Sequence, residues 1–201
     1  MKICVYGASS HKLDAHFIEE GEKLGRAMVA RGHSLVFGAG GNGLMGAVAR
    51  GVHAGGGESI GVVPTFFNVD GMLFEHCTQL IRTETMRERK QIMEDNGDAF
   101  VMSPGGIGTF EEFFEVLTLK QLGRHAKPIA ILNTGRYYNT LLAMMDEAME
   151  QQFMKTSCKS LYGVFEDVDE MLTYIEEYVP NVGNIGTFKN VYDAESELLH
   201  V

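Results

Sequence analysis

A glycine-rich segment over residues 38–46, which reads GAGGNGLMG, is the first part of the chain that could bind a ligand. Gly38, Gly40 and Gly43 form a GxGxxG pattern between a predicted strand and a predicted helix, as in dinucleotide sites. The pattern follows the second strand instead of the first, and the acidic Glu58 precedes its strand when it should end it. Two other interpretations are open: the glycines allow the strand and helix to pack closely, or they form a loop that contacts phosphate or ribose.

A second glycine-rich segment reads SPGGIGTFEE and also joins a predicted strand to a predicted helix that begins near Thr109. Its three glycines free the backbone to turn N–H groups towards an anion, and the helix dipole adds partial positive charge there. The segment is not a Walker loop, because no GK[ST] follows. Thr109 and Glu112 also have the spacing of a capping box, in which Glu112 would accept a hydrogen bond from the Thr109 amide. The segment alone does not separate a functional site from a cap.

An arginine with unusual neighbours lies in the segment MRERK, at the start of the helix predicted over residues 86–96. Arg89 shares one face of that helix with three apolar residues, which are Met86, Ile92 and Met93. Arg87 lies on a polar face instead, as a solvated residue would. An arginine on an apolar face requires a buried partner, and either a carboxylate or an anionic ligand would serve.

Short apolar runs that alternate with amphipathic helical patterns predict the fold that positions these segments. Strands are predicted at residues 2–6, 34–38, 59–63, 77–82, 99–103, 127–133 and 162–167, separated by helical patterns. This alternation is typical of an α/β protein with a doubly wound, Rossmann-like parallel sheet and helices on both faces. Ligands of such sheets bind beyond the carboxyl ends of the strands, where the glycine loops fall. We expect one domain over residues 1–180, and a tail over 181–201 that is an appendage or disordered.

Composition and charge exclude several classes of protein. The 201 residues include 24 glycines but only 4 prolines, which argues against a disordered or collagen-like chain. A net charge of −10 disfavours nucleic acid and anionic membranes as partners. Three widely spaced cysteines support neither a disulfide framework nor a metal site. The apolar stretch in MKICVYGASS is too short for a signal peptide, and no apolar run is long enough to span a membrane, so we expect a cytoplasmic protein.

Two motifs taken together, M-x-E-R-K at 86–90 and P-G-G-x-G-T-x-x-E at 104–112, resemble the LOG family of cytokinin-activating phosphoribohydrolases. The similarity extends from about residue 2 to residue 178 and includes GNGLMGAVA. The resemblance implies hydrolysis of the N-glycosidic bond of adenosine 5′-monophosphate, or its N6-modified form, to free base and ribose 5-phosphate. It implies no metal or redox cofactor, and a homodimer or larger homo-oligomer. Members are often labelled lysine decarboxylases, but no lysine here has a recognisable pyridoxal-phosphate setting.

The resemblance also implies roles for individual residues. Glu112 would stabilise the oxocarbenium character of the ribose and orient or deprotonate water, by analogy with glycosidases. Arg89 would hold ribose hydroxyls or phosphate and keep Glu112 ionised. The 5′-phosphate would bind to the amides of Gly105, Gly106, Gly108 and Thr109, with Lys90 as a weaker candidate. The nucleotide cleft would be lined by Ser9, Gly40, Gly41, Met45 and Met86.

Three positions depart from the family pattern, which usually has histidine at Arg87, glycine at Ala39 and cysteine at Gly7. They leave the base preference open, because such positions can shape the cleft around the adenine. The alternative function is a non-catalytic module that binds nucleotides or the molybdenum cofactor, as related Rossmann-like folds do. A module of that kind would not require both Arg89 and Glu112. An NAD-linked reductase is a third hypothesis, which predicts binding of the nicotinamide cofactor.

Overall fold

The computed structural model describes residues 1–67, 72–180 and 185–189, and within them a parallel sheet of seven strands. The strands are β1 (Lys2–Tyr6), β2 (Ser34–Phe37), β3 (Ser59–Pro64), β4 (Gln79–Thr83), β5 (Ala99–Met102), β6 (Ile129–Leu132) and β7 (Gly163–Phe165). Their order across the sheet is β4-β3-β2-β1-β5-β6-β7, and every neighbouring pair is parallel. The order reverses at β1, so the crevice between β1 and β5 is where this topology binds ligands.

Helices cover both faces of the sheet, which confirms the predicted doubly wound fold. They are α1 (Ala15–Ala30), α2 (Gly43–Ala54), α3 (Met86–Asn96), α4 (Ile107–Gln121), α5 (Asn139–Glu150), α6 (Val168–Glu176) and α7 (Ile185–Phe188). Alternate residues of β1 point to opposite faces. Ile3 and Val5 pack with α1, α2 and α6, whereas Cys4 and Tyr6 pack with α3, α4 and α5. The residues of both clusters are almost completely buried.

Two glycines set how closely α1 and α2 pack. A Cβ atom on Gly25 would lie 2.2 Å from the carbonyl oxygen of Val48, and one on Gly51 would lie 2.3 Å from that of Glu22. Neither backbone contact leaves room for a side chain. Gly51, which lies outside the glycine loops, is therefore explained by the packing of α1 on α2.

The helix predicted over residues 136–152 begins only at Asn139. A short 3₁₀ helix, Thr134–Arg136, precedes it, and Gly135 and Arg136 both adopt φ of 60°. An α-helix cannot continue backwards through two residues in the left-handed region, which explains the late start. Within the predicted tail, residues 185–189 are described, and the buried Phe188 accepts a 2.9 Å hydrogen bond at its carbonyl oxygen from Gln121 of α4. The rest of the tail lies outside the described residues.

Candidate active site

A cavity of about 450 Å³ opens at the carboxyl edge of the sheet, around the point where the strand order reverses. The loops after β1, β2 and β5 and the amino-terminal turns of α2, α3 and α4 surround it. Nine of the twelve predicted site residues line it, which are Arg89, Glu112, Gly106, Gly108, Thr109, Ser9, Gly40, Met45 and Met86. Three segments that lie far apart in sequence therefore meet at one cavity.

Helix α3 delivers Arg89 to the floor of this cavity. The Thr85 hydroxyl caps the helix by accepting a 3.1 Å hydrogen bond from the Glu88 amide. One turn later, Arg89 is buried, as its apolar neighbours predict. Its Nη1 donates to Oε1 of Glu112 at 3.0 Å, and its Nε donates to the carbonyl oxygen of Val62 at 3.0 Å. The sequence left a carboxylate and an anionic ligand as alternative partners of Arg89. The structure shows a carboxylate, that of Glu112, and both side chains line the cavity.

Gly38 leaves the space that the Arg89 guanidinium occupies. A Cβ atom on Gly38 would lie 1.9 Å from Nη2 of Arg89 and 3.1 Å from its Cζ. No residue larger than glycine fits there while the guanidinium keeps this position. The glycine that directly follows β2 is therefore required by the Arg89–Glu112 pair.

Glu112 lies on α4 and is as buried as its partner. Burial raises the pKa of Glu112 above its ordinary value, and the charge and hydrogen bond of Arg89 counteract that rise. The expectation that Arg89 favours the ionised form is correct in direction, but the effect of burial is larger. A carboxyl group of this kind can exchange a proton nearer neutral pH than a solvated glutamate.

Helix α4 begins at Ile107 with Gly106 as its N-cap residue, so Thr109 lies inside the first turn. The capping-box interpretation of Thr109 and Glu112 is therefore wrong, and the Glu112 side chain is bonded to Arg89 instead. The first intrahelical bond runs from the Phe110 amide to the Gly106 carbonyl. The preceding N–H groups of the first turn have no partner within the helix, and they add to the positive end of its dipole beside the cavity.

Three of the predicted residues do not line the cavity. Lys90 is paired with Glu111 and Glu115 on the outer side of α4, because it is rotated about 100° from Arg89 around α3. The carbonyl oxygen of Gly41 accepts a 3.1 Å hydrogen bond from Arg50. Gly105 is not among the described lining residues, and its carbonyl oxygen accepts a 2.9 Å hydrogen bond from the Tyr137 hydroxyl. Neither Lys90 nor Gly41 is brought to the anion or the cleft that the sequence predicted for it.

Sequence comparison now places the chain among known proteins. Residues 45–175 match the protein family described as "Possible lysine decarboxylase". A rice (Oryza sativa subsp. japonica) protein named a probable cytokinin riboside 5′-monophosphate phosphoribohydrolase is 40% identical over 179 residues, which cover 89% of this chain and 79% of the relative. An Arabidopsis thaliana protein named a cytokinin riboside 5′-monophosphate phosphoribohydrolase is 37% identical over 186 residues, covering 92% and 86%. The chain belongs to this LOG family.

Solved structures agree on the fold. The Moco carrier protein of Chlamydomonas reinhardtii superimposes with a TM-score of 0.66 and 22% identity, covering 88% of this chain and 95% of that one. The molybdenum cofactor binding protein of Rippkaea orientalis gives 0.65 and 17%, covering 87% and 93%. At these identities the likeness concerns the fold alone. None of the helices in the described residues is long and apolar enough to cross a membrane.

The positions at which this LOG-family chain departs from the family pattern have different surroundings. Gly7 lines the cavity beside Ser103, whereas Arg87 is exposed to solvent on α3. Ala39 is buried with φ of 61°, a conformation that glycine adopts without strain, which explains glycine as the usual family residue. Of the three departures, therefore, Gly7 is the one in contact with the cavity.

The description of the family as a lysine decarboxylase does not match the side chains of this site. Decarboxylation on pyridoxal phosphate requires a lysine that forms a Schiff base with the cofactor. Among the described residues that line the cavity, Arg89 and Glu112 are the charged ones. Lys90 is held in its ion pairs, and Lys120 is buried on α4 with its ammonium group on the Leu161 carbonyl oxygen. The charged side chains of this cavity are instead a carboxylate and the guanidinium bonded to it.

An apolar wall of the cavity was not predicted from the sequence. Its members belong to β3, the following 3₁₀ helix Thr65–Phe67, the loop before β4 and the first turn of α4, and they are Val63, Phe67, Met72, Leu73 and Ile107. Small residues of the first loop, Ala8 and Ser10, complete the lining beside Gly7 and Gly38. No motif marks the apolar members, because single apolar residues in connections have no periodicity that separates them from core residues.

Proposed function

We propose that the protein hydrolyses the N-glycosidic bond of adenosine 5′-monophosphate or an N6-modified form of it, yielding free base and ribose 5-phosphate. The observation that carries the proposal is the buried Arg89–Glu112 pair, with 3.0 Å between Nη1 and Oε1, at the floor of a cavity beside a helix amino terminus. The names of the relatives agree with this reaction.

The 5′-phosphate binds at the first turn of α4. Gly106, Gly108 and Thr109 line the cavity there, and the N–H groups of that turn have no helical acceptor. A phosphate at this position receives several hydrogen bonds and the favourable helix dipole. A Cβ atom on Gly106 or Gly108 would meet no atom within 4 Å, so the backbone is open to the ligand.

Glu112 acts on the bond between C1′ and the base. As that bond breaks, positive charge develops on the ribose ring, and a fixed carboxylate stabilises it. Glu112 also orients the attacking water and accepts one of its protons, which passes to the departing base. The water oxygen, with its other proton, becomes the C1′ hydroxyl of ribose 5-phosphate. Arg89 holds Oε1 of Glu112, which leaves Oε2 for the substrate and the water.

The base binds against the apolar wall. Four residues of that wall, Val63, Phe67, Met72 and Leu73, line the cavity together with Met86. Planar heteroaromatic bases bind well to such surfaces, because their faces lose little hydration. An apolar N6 substituent gains further buried area at the same wall.

The alternative, a non-catalytic module that binds a nucleotide or the molybdenum cofactor, agrees less well with the charges. A module that only binds an anion gains nothing from the buried Glu112 carboxyl group, which costs free energy to desolvate and repels the ligand. Catalysis at C1′ explains why a buried carboxyl group lines this cavity.

We also propose that the protein works as a homodimer in the cytoplasm. Ile107, at the start of α4, is 86% exposed, and Phe153, in the segment after α5, is 81% exposed. The partly exposed Phe114 lies on the same face of α4 as Ile107. A two-fold interface would cover such residues. The three free cysteines agree with a reducing compartment. Light scattering on a sizing column should give twice the 22.2 kDa of one chain, and a monomer at micromolar concentration would contradict the dimer.

The test of the proposed function is product analysis with several substrates. Purified protein is incubated separately with AMP, N6-isopentenyl-AMP, adenosine and lysine, and the products are separated by chromatography. We expect free base from the two monophosphates, much less from adenosine, and no decarboxylation of lysine. If neither monophosphate releases base while nucleotide binding is retained, the proposal is wrong and the protein is a binding module.

A further inference from the structure

Three consecutive carbonyl groups before α4 each accept a hydrogen bond from outside the loop. The Ser103 oxygen accepts one from the Tyr138 hydroxyl at 2.7 Å, and the Pro104 oxygen accepts one from the Ala8 amide at 3.1 Å. The Gly105 oxygen accepts one from the Tyr137 hydroxyl at 2.9 Å. Each of these three carbonyl groups is therefore held in place, two of them by adjacent tyrosines and one by the loop after β1.

In a planar trans peptide, the carbonyl and the following N–H point in opposite directions. The peptide that carries the Gly105 oxygen also carries the Gly106 N–H, so the Tyr137 hydroxyl fixes the direction of that N–H group. Gly106 lines the cavity, whereas Tyr137 is not among the described residues that line it. Gly105 itself is absent from the described lining of the cavity, so Gly106 is the first glycine of this loop that lines it. The bond from Tyr138 differs, because the Ser103 carbonyl precedes Pro104, which has no N–H.

The turn that carries Tyr137 is itself tightly held. Arg136, directly before it, keeps φ of 60°, a conformation that disfavours any residue except glycine. The buried Asn133 closes the turn by accepting a 2.7 Å hydrogen bond from the Tyr138 amide. The Phe17 ring, in α1, packs nearly perpendicular to the Tyr137 ring, with 6.1 Å between centroids. These contacts place the Tyr137 hydroxyl at the loop before any ligand binds.

We propose that Tyr137 is a positioning residue for the phosphate site: through the Gly105 carbonyl, its hydroxyl holds the Gly106 N–H towards the 5′-phosphate. The inference rests on the proposed phosphate site at α4. Because Tyr137 is not among the described residues that line the cavity, loss of its hydroxyl should weaken binding of the phosphate and leave the chemical step unchanged.

The experiment compares Tyr137→Phe with its neighbour Tyr138→Phe, because each variant removes one hydroxyl from one loop carbonyl. Calorimetry gives the Kd of ribose 5-phosphate, a product that is not hydrolysed, and adenosine is the ligand without phosphate. We expect Tyr137→Phe to raise the Kd of ribose 5-phosphate and the KM of AMP about fivefold, with kcat and adenosine binding unchanged. We expect Tyr138→Phe to lower the melting temperature and to change the Kd less.

Three results would overturn the inference. An unchanged Kd of ribose 5-phosphate in Tyr137→Phe would show that the hydroxyl does not orient the amide. Equal weakening of adenosine and AMP binding in Tyr137→Phe, or an equal rise in the Kd of ribose 5-phosphate in both variants, would show a general effect on loop packing. If the wild type does not bind ribose 5-phosphate, the phosphate site itself is absent. Failure of base release with ribose 5-phosphate binding intact would instead refute the proposed hydrolysis and leave the role of Tyr137 standing.

Discussion

A single methyl group at residue 38 should disable the site by displacing the Arg89 guanidinium. In Gly38→Ala, the new Cβ would lie 1.9 Å from Nη2 of Arg89, whereas ordinary contact begins at 3.4 Å. The contact atom ends a long side chain, so the guanidinium has to retreat by about 1.5 Å. Such a shift breaks the 3.0 Å bond between Nη1 and Oε1 of Glu112, because a donor and acceptor more than 4 Å apart do not form a hydrogen bond.

Two quantities follow from this displacement. A misplacement of about 1 Å at a catalytic group costs about 10²-fold in rate, so kcat/KM for AMP should fall by about that factor. The crowded side chain and the weakened buried pair should lower the free energy of unfolding by about 1–3 kcal/mol. The assays are initial rates of base release and urea unfolding, and the folded fraction is verified before the rates are compared.

The control for Gly38→Ala is the same change in an Arg89→Ala background. That background has no guanidinium to displace, so the added methyl group should lower the free energy of unfolding much less than it does in the wild type. The difference between the two costs measures the coupling of residues 38 and 89. Equal costs in both backgrounds, or a Gly38→Ala enzyme with full kcat/KM, would refute the reasoning.

The remaining predictions concern protonation and helix capping. Because burial raises the pKa of Glu112, the acidic limb of kcat/KM should lie above pH 4.3, the ordinary pKa of glutamate, and Arg89→Gln should move it to still higher pH. Burial lowers the pKa of Lys120 to about 8, so on raising the pH the folded protein loses this proton before the unfolded chain does. The free energy of unfolding of the wild type, measured with urea and compared with that of Lys120→Met, should therefore rise by up to about 3 kcal/mol between pH 8 and 10.5. Thr85→Ala should cost about 1 kcal/mol in thermal unfolding by removing the cap of α3.

Each of these predictions has an outcome that contradicts it. An acidic limb at the ordinary glutamate pKa, unmoved by the change at Arg89, would remove Glu112 from the rate-limiting protonation. A parallel pH dependence of wild type and Lys120→Met would show that the lysine pKa is unshifted. The control for the cap is Thr85→Ser, which keeps the hydroxyl. If Thr85→Ser loses as much stability as Thr85→Ala, the missing methyl group explains the loss and the cap does not.

The sequence predicted the sheet and the burial of Arg89 because both depend on local periodicity. A strand dense in apolar residues followed by a helical pattern indicates a βαβ unit whatever the distant contacts are. The i−3, i+3 and i+4 neighbours of Arg89 fix its face on α3 in the same way, and the structure confirms that face. The glycine loops fall at the carboxyl edge because they follow the strands directly.

Contacts between distant segments could not be predicted in this way. Thr109 and Glu112 have the spacing of a capping box, but the cap is a matter of where the helix begins, and α4 begins two residues earlier. Lys90 neighbours Arg89 in sequence yet lies on another face of α3, where it meets Glu111 and Glu115. These pairings depend on how α3 and α4 approach each other, which single-sequence patterns do not encode.

The contact of the turn before α5 with the Gly105 carbonyl could not be predicted from the sequence either. A positive φ at Arg136 gives no signal in the sequence, because the residue type is unremarkable there. The helix predicted from 136 onward consequently placed Tyr137 inside regular structure. Its hydroxyl instead reaches the Gly105 carbonyl across 32 positions of sequence.

The central claim is that Glu112 performs glycosidic hydrolysis in this cavity, and one measurement tests it most directly. Wild type and Glu112→Gln are incubated with AMP, and adenine and ribose 5-phosphate are quantified over time, together with the Kd of ribose 5-phosphate. We predict equal amounts of both products from the wild type, and a rate lower by about 10²–10⁴-fold in Glu112→Gln with ribose 5-phosphate still bound. Full turnover by Glu112→Gln, or no turnover by a wild type that binds ribose 5-phosphate, would contradict the claim.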